Sequence, residues 1–523
     1  MRPSVEYFDD DRLLLKVPDP HEVVERIAGA TLHGKGALVP WDLATSRRLS
    51  ALGISTISPM TRDYDFPSYK RKVPNPRNHQ VKIADFLVRH RKGFCFGDIG
   101  VGKTLSALWA ADYLMMAKDI KRVLVVCPLS IVNESWGDSI KAHFPRRSYT
   151  VLHANTPAKR LPLAKTKTDF HIVNFDGVHS IKDQLKENDY DLVIVDESTA
   201  YKNPSTARWK SLRYVLGEDA GLWLMSGTPV PQGPMDAFGQ AKLVGSRGVP
   251  KTQMQFKIAT MRQVTQYKWV PRKESGEIVR KALSPAIHVD KRAVLKDLPA
   301  VTALYRQVDM TSGQKKAFEL MRRDMQLTDA GTTITAVNAA VKLLKLMQIA
   351  AGVVYDDEGD IVEFDNKPRI NEMLSLIEQS ASKTVVYVPF RHVLTVVQEA
   401  LEKAGHKVAV IYGDVPKKQR EEIFKSFQSD DKYDVLLAIP NAMAHGITAT
   451  AASTVIWFMP QMRHEIYTQA SGRVDRIGQK LPVTIAHIYG HPVEKELYQN
   501  QQEAVGYERK LLALYNKLIG GNK

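Results

Sequence analysis

Residues 97–104 read GDIGVGKT, a complete G-x-x-x-x-G-K-[ST] loop. A loop of this pattern turns successive backbone N–H groups toward an anion at a helix N-terminus, where unpaired donors and the helix dipole favour phosphate. In that chemistry Gly97, Asp98, Ile99, Gly100, Val101, Gly102, Lys103 and Thr104 wrap the phosphates. Lys103 reaches the β- and γ-phosphoryl oxygens, and the Thr104 hydroxyl ligates Mg²⁺. A glycine turn that happens to contain Lys-Thr is the bland alternative. The context counts against it: Gly93-Phe94-Cys95-Phe96 reads as a strand leading in, and Leu105-Ser106-Ala107-Leu108-Trp109-Ala110-Ala111 as a helix leading out.

Two further patterns carry the same chemistry. LVIVDE at 192–197 ends an apolar run in two carboxylates, Asp196 to hold Mg²⁺ and Glu197 to polarise an attacking water. QASGRVDRIGQ at 469–479 offers Arg473 and Arg476 at i and i+3. On a helix these face the same way, and a permanently charged planar guanidinium matches phosphate oxygens. Taken alone, the first pattern is also a strand-ending cap and the second a solvated basic face.

The elements that must position these groups alternate strand and helix, which predicts an α/β fold with parallel sheets. The first group of strand-like runs is KRVLVVCPLS (121–130), DFHIVNFDG (169–177), YDLVIVDES (190–198) and GLWLMSGTP (221–229). The second is KTVVYVPF (383–390), KVAVIYGD (407–414), YDVLLAIP (433–440), STVIWFMP (453–460) and VTIAHIYG (483–490). Two α/β units of similar size follow, and only the first carries a phosphate loop. Between them, residues 251–282 are rich in Lys, Arg and Gln, and residues 311–350 read as helix. The DDEGD stretch at 356–360 reads as an exposed turn, and residues 494–518 as a terminal helix.

The bulk properties agree with a polyanionic partner. There are 73 Lys and Arg against 57 Asp and Glu, a formal charge of +16, with nucleic acid the first candidate and an acidic membrane surface the second. Cys95 and Cys127 sit in apolar strand-like runs and read as reduced core residues, which excludes a disulfide scaffold and a cysteine zinc site. No stretch has the length of a membrane span, and the acidic N-terminus lacks the form of a signal peptide. A cytoplasmic protein is expected, in a bacterial or viral-host setting.

The order of motifs resembles that of helicase superfamily two, in the form of the SWI/SNF-type DNA translocases. QASGRVDRIGQ is similar to that family's last signature. PRNHQ at 76–80 resembles its adenine-recognising segment, CPLSIVNESW at 127–136 its motif Ia, DESTAYKN at 196–203 its Walker B motif, and SGTP at 226–229 its motif III. HVDKRAVLKDLP at 288–299 resembles the segment that links the lobes, and Tyr412-Gly413-Asp414 with Arg420 the phosphate-contact motif of lobe two. The resemblance spans residues 74–490.

The resemblance implies two tandem RecA-like lobes with helical protrusions between them, an ATP–Mg²⁺ cofactor and a monomeric motor on duplex or branched DNA. The expected domains are an accessory unit over 1–60, lobe 1 over 61–298, a helical protrusion and linker over 299–365, lobe 2 over 366–493 and a helix over 494–523. It implies that Arg77 and Gln80 contact the adenine and that Gly446 borders the nucleotide. Arg473 and Arg476 are the implied arginine fingers, Ser226 and Thr228 the coupling residues, and Ser130, Asn133, Trp136 and Arg420 the nucleic-acid contacts. Core packing is the rival role for Trp136. The family's motif II is Asp-Glu-Ala-His, whereas Thr199 stands at the His position here, and motif V keeps only Gly446. Residues 21–54 resemble the small HARP-type unit of annealing helicases, with a generic packing unit as the alternative. Fork repair, annealing or remodelling is the implied task. A strand-separating DNA or RNA helicase, and a nucleic-acid scaffold with a weak ATPase, are the alternatives.

Overall fold

The computed structural model describes residues 4–54, 56–66, 76–227, 229–231, 233–265, 269–329, 336–355, 361–443 and 448–501; of a few of these, Ser130 among them, it describes the backbone alone. The chain divides into two units, one made of Met1–Pro229 and Pro234–Val294, the other of Leu295 onward together with Val230–Gly233.

The first unit opens with four antiparallel strands, β1 (Ser4–Tyr7), β2 (Arg12–Lys16), β3 (Thr31–His33) and β4 (Gly36–Pro40), in the order β1-β2-β4-β3. Asp19 caps the Pro20–Arg26 helix by accepting from the N–H groups of His21 and Glu22, and Asp42 caps Leu43–Ala51 by accepting from Thr45. Leu13 and Leu15, two apart on β2, point into a core with Ile27, Val39, Trp41 and Leu49. This small α/β unit matches the expected texture of residues 21–54. It does not stand apart, because it groups with the first unit and is fastened to it. Arg47 makes a bidentate pair with Asp119 (2.7 and 2.9 Å), and Arg89 on the Asn78–Arg89 helix reaches the Ser50 hydroxyl.

The large sheet of this unit consists of β5 (Lys92–Gly97), β6 (Val123–Cys127), β7 (Tyr149–Val151), β8 (Phe170–Asn174), β9 (Leu192–Asp196), β10 (Gly221–Ser226) and, after a small β11 (Met261–Gln263) and β12 (Trp269–Pro271) hairpin, β13 (Ala286–Val289). The order is β13-β5-β10-β9-β6-β8-β7, and every pairing is parallel. The runs FHIVN, VLVVC and LVIVD are buried along their whole length, as strands covered by helices on both faces must be. Cys95 and Cys127 are unpaired and buried there, as expected.

The second unit has its own parallel sheet. Its strands are β14 (Val301–Gln307), then, after the β15 (Val353–Tyr355) and β16 (Ile361–Glu363) hairpin, β17 (Lys383–Tyr387), β18 (Val408–Ile411), β19 (Val435–Ala438), β20 (Ala452–Trp457) and β21 (Val483–Tyr489). The order is β14-β21-β20-β17-β19-β18. Residues 301–307 are therefore a strand paired with β21 along seven positions from Val301 to Gln307, not part of a helical linker. The two units part at 294/295, where the expected boundary stood at 298/299. Helices Ser312–Asp329 and Ala336–Ala350 occupy the stretch read as helical. The turn at 356–360 and residues 502–523 of the terminal helix lie outside the described residues. Among the described residues no helix is long and apolar enough to cross a membrane.

Candidate nucleotide site

The phosphate loop leaves the carboxyl end of β5, Asp196 ends β9, and Ser226 ends β10, which lies between them. Ligands of open parallel sheets bind outside these carboxyl ends. Gly100 and Gly102 take left-handed backbones (φ 88° and 86°), and the helix Lys103–Met116 begins at the next residue. A Cβ on Gly102 would lie 2.2 Å from Gln80 Nε2, so that amide would have to move, and the left-handed backbone itself favours glycine. Lys103 Nζ donates to the carbonyls of Gly97 (2.5 Å) and Asp98 (3.2 Å).

The loop is braced from two sides. Asp98 N donates to Val289 O at 3.2 Å, and Asp98 Oδ2 accepts from Lys291 N at 2.8 Å, so β13 and the residues after it hold the loop's entrance. On the other side the first turn of Asn78–Arg89 touches it. His79 Nε2 lies 3.0 Å from Val101 O, and burial holds the imidazole below its usual pKa, so Nε2 carries the proton and donates. Gln80 Oε1 accepts from Arg77 N at 3.1 Å, which leaves its Nε2 at Gly102. A cavity of 560 Å³ beside this turn is lined by Arg77, Asn78, Lys82, His288 and Val294 among others. Arg77 thus lines this cavity, whereas Gln80 lies against the phosphate loop. Sequence reasoning missed His79, although it stands inside the quoted PRNHQ motif.

Asp196 is buried, and both carboxylate oxygens are engaged: Oδ2 accepts from Trp136 Nε1 at 3.1 Å and Oδ1 from Glu197 N at 3.1 Å. Burial raises its pKa above the ordinary carboxylate range, while the Lys103 charge and the indole N–H oppose that rise. Trp136 is fully buried on the π-helical turn Val132–Gly137, with its indole N–H committed to Asp196. Such burial agrees with the core-packing alternative for Trp136, and the turn points the indole inward. Glu197 follows in a left-handed conformation (φ 55°, ψ 59°), a strain of roughly 1–3 kcal/mol for a residue with a side chain.

The remaining candidates divide. Asn133 is half-buried on the same turn as Trp136. The Ser130 side chain, Thr228 and Gly446 lie outside the described residues. Ser226 is buried at the end of β10. In the second unit Arg420 is half-buried, and its Nη2 donates to Val415 O at 3.0 Å. Arg473 and Arg476 do not share a helix face, because the His464–Ser471 helix ends before them at Gly472. They lie on the turns that follow. Ala449 N donates to Arg473 O, and Gln479 Nε2 donates to the carbonyls of Ala452 and Val474, which ties this segment to the second sheet. Arg473 is buried and Arg476 half-buried, and burial weighs against the charge of Arg476.

The donor set fits a nucleoside triphosphate with Mg²⁺. The loop brings two left-handed glycines, Gly100 and Gly102, to the N-terminus of the Lys103–Met116 helix, where backbone N–H groups suit an anion. The raised Asp196 is a carboxylate that a nearby cation would return to its ionised form. Among the described residues no group of three or more His, Cys, Asp and Glu could hold a metal by itself. Thr104 and Asp196 therefore suit a hard ion whose other ligands are phosphate oxygens and water.

Residues 70–351, more than half of the chain, match the SNF2-related domain family, and residues 368–478 match the helicase conserved C-terminal domain. An ATP-dependent helicase of Mycoplasma genitalium is 23% identical over 84% of this chain and 42% of its own length. A putative protein of Acyrthosiphon pisum secondary endosymbiont phage 1 is 23% identical over 83% of this chain and 96% of its own. A chromodomain-helicase-DNA-binding protein 1-like protein of Danio rerio is 24% identical over 80% of this chain and 41% of its own. The chain thus spans well under half of two of these relatives and nearly all of the phage protein. With the phosphate loop and Asp196-Glu197 inside the first match and Arg473 and Arg476 inside the second, the chain belongs to the SNF2-related family, within the SWI/SNF-type ATPases of helicase superfamily two.

Proposed function

We propose that this protein is a DNA-stimulated ATPase that moves along duplex or branched DNA. The observation that carries this reading is the placement of GDIGVGKT, Ser226 and Asp196-Glu197 at the carboxyl ends of three consecutive central strands, in a chain whose second parallel sheet carries Arg473 and Arg476. ATP with Mg²⁺ supplies the phosphoryl group and a counter-charge for its oxygens. Lys103 and the loop N–H groups bind the phosphates, and Thr104 and Asp196 hold the metal. Glu197 orients a water and takes its proton, from a backbone position fixed by its own strain. Arg473 and Arg476, the arginine fingers that the family resemblance implies, belong to the second unit.

The DNA track is supported by the net charge of +16 and by the DNA-binding name of the Danio rerio relative. Bacterial and phage relatives support a cytoplasmic setting, and a chain that holds both halves of the machinery supports a monomeric motor. Contacts to DNA by Asn133, Ser130 and Arg420 would position the protein without reading sequence. The test is ATPase activity with single-stranded, duplex, forked and RNA ligands, beside triplex displacement and duplex unwinding. Duplex stimulation with triplex displacement is expected; unwinding without triplex displacement would identify a strand-separating helicase instead.

A further inference from the structure

Glu197 is followed by Ser198, a fully buried hydroxyl that the chemistry above does not use. Ser198 Oγ donates to Gln240 Oε1 at 2.7 Å. The other end of the same amide, Gln240 Nε2, donates to Pro229 O at 2.7 Å and to Asp236 O at 2.9 Å. Gln240 is fully buried, so all of its hydrogen-bonding capacity used here is spent inside the protein. One side chain thus joins the turn that carries Glu197 to Pro229, the last residue of the SGTP motif.

The helix Asp236–Val244 that presents Gln240 is itself seated on the Glu197 turn. A Cβ on Gly239 would lie 2.4 Å from the carbonyl oxygens of Tyr201 and Lys202, so only glycine allows the approach. Gly239 N, one of the helix's unpaired first-turn donors, donates to Lys202 O at 3.1 Å. Lys202 Nζ pairs with Asp236 Oδ1 at 3.3 Å. The Gln240 amide therefore adds a direct side-chain link between the backbone after Glu197 and the backbone of Pro229, beyond the ends of the paired strands β9 and β10.

We infer that Gln240 is a positioning residue of the hydrolytic site, which holds Glu197 in register with the SGTP motif through Ser198. This rests on the reading of the chain as a DNA-stimulated ATPase. An amide serves because it accepts from the hydroxyl at one end and donates to two carbonyls at the other; neither Leu nor Glu does both. The connection predicts that losing Gln240 lowers turnover and leaves nucleotide binding in place, because its side-chain hydrogen bonds run to Ser198, Pro229 and Asp236 and not to the phosphate loop.

The experiment compares Gln240→Met, Ser198→Ala and the double variant in DNA-stimulated ATPase assays and thermal melts. Each single variant strands a buried polar partner and lowers the melting temperature. The double variant removes the Ser198 hydroxyl together with its amide partner and leaves only the Pro229 and Asp236 carbonyls without the Nε2 donor, so it recovers part of the stability while the connection stays cut. Gln240→Glu keeps the acceptor for Ser198 but cannot donate to Pro229. Expected for the double variant is a melting temperature above that of Gln240→Met, a KM for ATP within about twofold, and a stimulated kcat lower by about tenfold or more. Gln240→Glu is expected to lose kcat alike, and this arm decides if the double variant does not fold. Recovery of kcat together with stability, full activity of Gln240→Glu, or a loss carried by KM would overturn the inference alone. Wild type that duplex DNA does not stimulate would overturn the underlying reading and this inference with it.

Discussion

Trp136 and Asp196 are joined by an indole N–H that donates to a buried carboxylate oxygen at 3.1 Å. The tryptophan comes from the turn after β6 and the aspartate from the end of β9, two paired neighbouring strands. Groups behind a metal ligand set its orientation and basicity, and their loss costs roughly 10- to 100-fold in metal affinity or activity. Trp136→Phe keeps the packing and removes the donor. It is expected to raise the Mg²⁺ concentration needed for half-maximal ATPase activity by such a factor.

The same variant has a signed pH effect. Burial raises the Asp196 pKa, and the indole hydrogen bond and Lys103 lower it. With the indole gone the pKa rises further, so less carboxylate is ionised at any given acidic pH. Activity needs the ionised form, so the acid limb of the kcat profile should move to higher pH in Trp136→Phe. An acid limb that stays in place would show that Asp196 is not the group titrating there.

Gly102→Ala tests the cradle. The substitution forces a side chain into φ 86° and places its Cβ 2.2 Å from Gln80 Nε2. The left-handed conformation alone costs roughly 1–2 kcal/mol. Shortening Gln80 in the double variant Gly102→Ala/Gln80→Ala relieves the clash but not the backbone. Both variants should bind ATP at least about tenfold more weakly, with the double variant recovering melting temperature more than affinity. Equal recovery of both would mean that the backbone conformation is immaterial to the phosphate site.

Much of this was legible in the sequence because parallel strands leave continuous apolar runs. LVIVD and VLVVC, like STVIW, announce themselves, and so does a phosphate loop between strand and helix. β14 was not legible. VTALYRQ mixes exposed and half-buried positions, as an edge strand does, and its partner β21 lies far along the chain. The Arg473 and Arg476 spacing suited a helix, but Gly472 ends it one residue after Ser471. The link from Trp136 to Asp196 and the place of Gln240 were not legible, for one reason. Their roles are hydrogen bonds across 60 and 42 positions, and no local spacing carries that information.

Stability of the second unit should hinge on Arg369 and Glu494, which are 2% and 0% exposed and paired at 2.7 Å. Arg369 Nη1 also donates to the carbonyls of Phe458 and Ile488, while Glu494 Oε2 accepts from the N–H groups of Gly490 and His491. Removing one partner leaves a buried charge alone, at about 3–5 kcal/mol. Arg369→Ala should lower stability by that amount in urea unfolding. Arg369→Met with Glu494→Leu should recover most of it, because neither charge then remains. A double variant no more stable than Arg369→Ala would show that the bonds to main chain, not the pair, hold these ends of β20 and β21.

The N-terminal unit should behave as part of the ATPase rather than as a detachable module. Arg47 grips Asp119 just beyond the phosphate-loop helix and also donates to Val88 O on Asn78–Arg89. Both helices that flank the nucleotide site are thereby held from one side chain. Ser58 N adds a bond to Asp85 on the same helix at 2.6 Å. A partly buried, charge-assisted pair of this kind contributes about 1.5–3 kcal/mol. Arg47→Ala and Asp119→Ala should each lose that much, and the double variant little more than either, because the two share one interaction. Deletion of residues 1–60 should then speed hydrogen exchange in Asn78–Arg89 and weaken ATP binding. If the unit is of the HARP type, the deletion also lowers affinity for forked DNA more than for linear duplex. An equal change for both DNA forms, with ATP binding weakened, would assign the unit to packing alone.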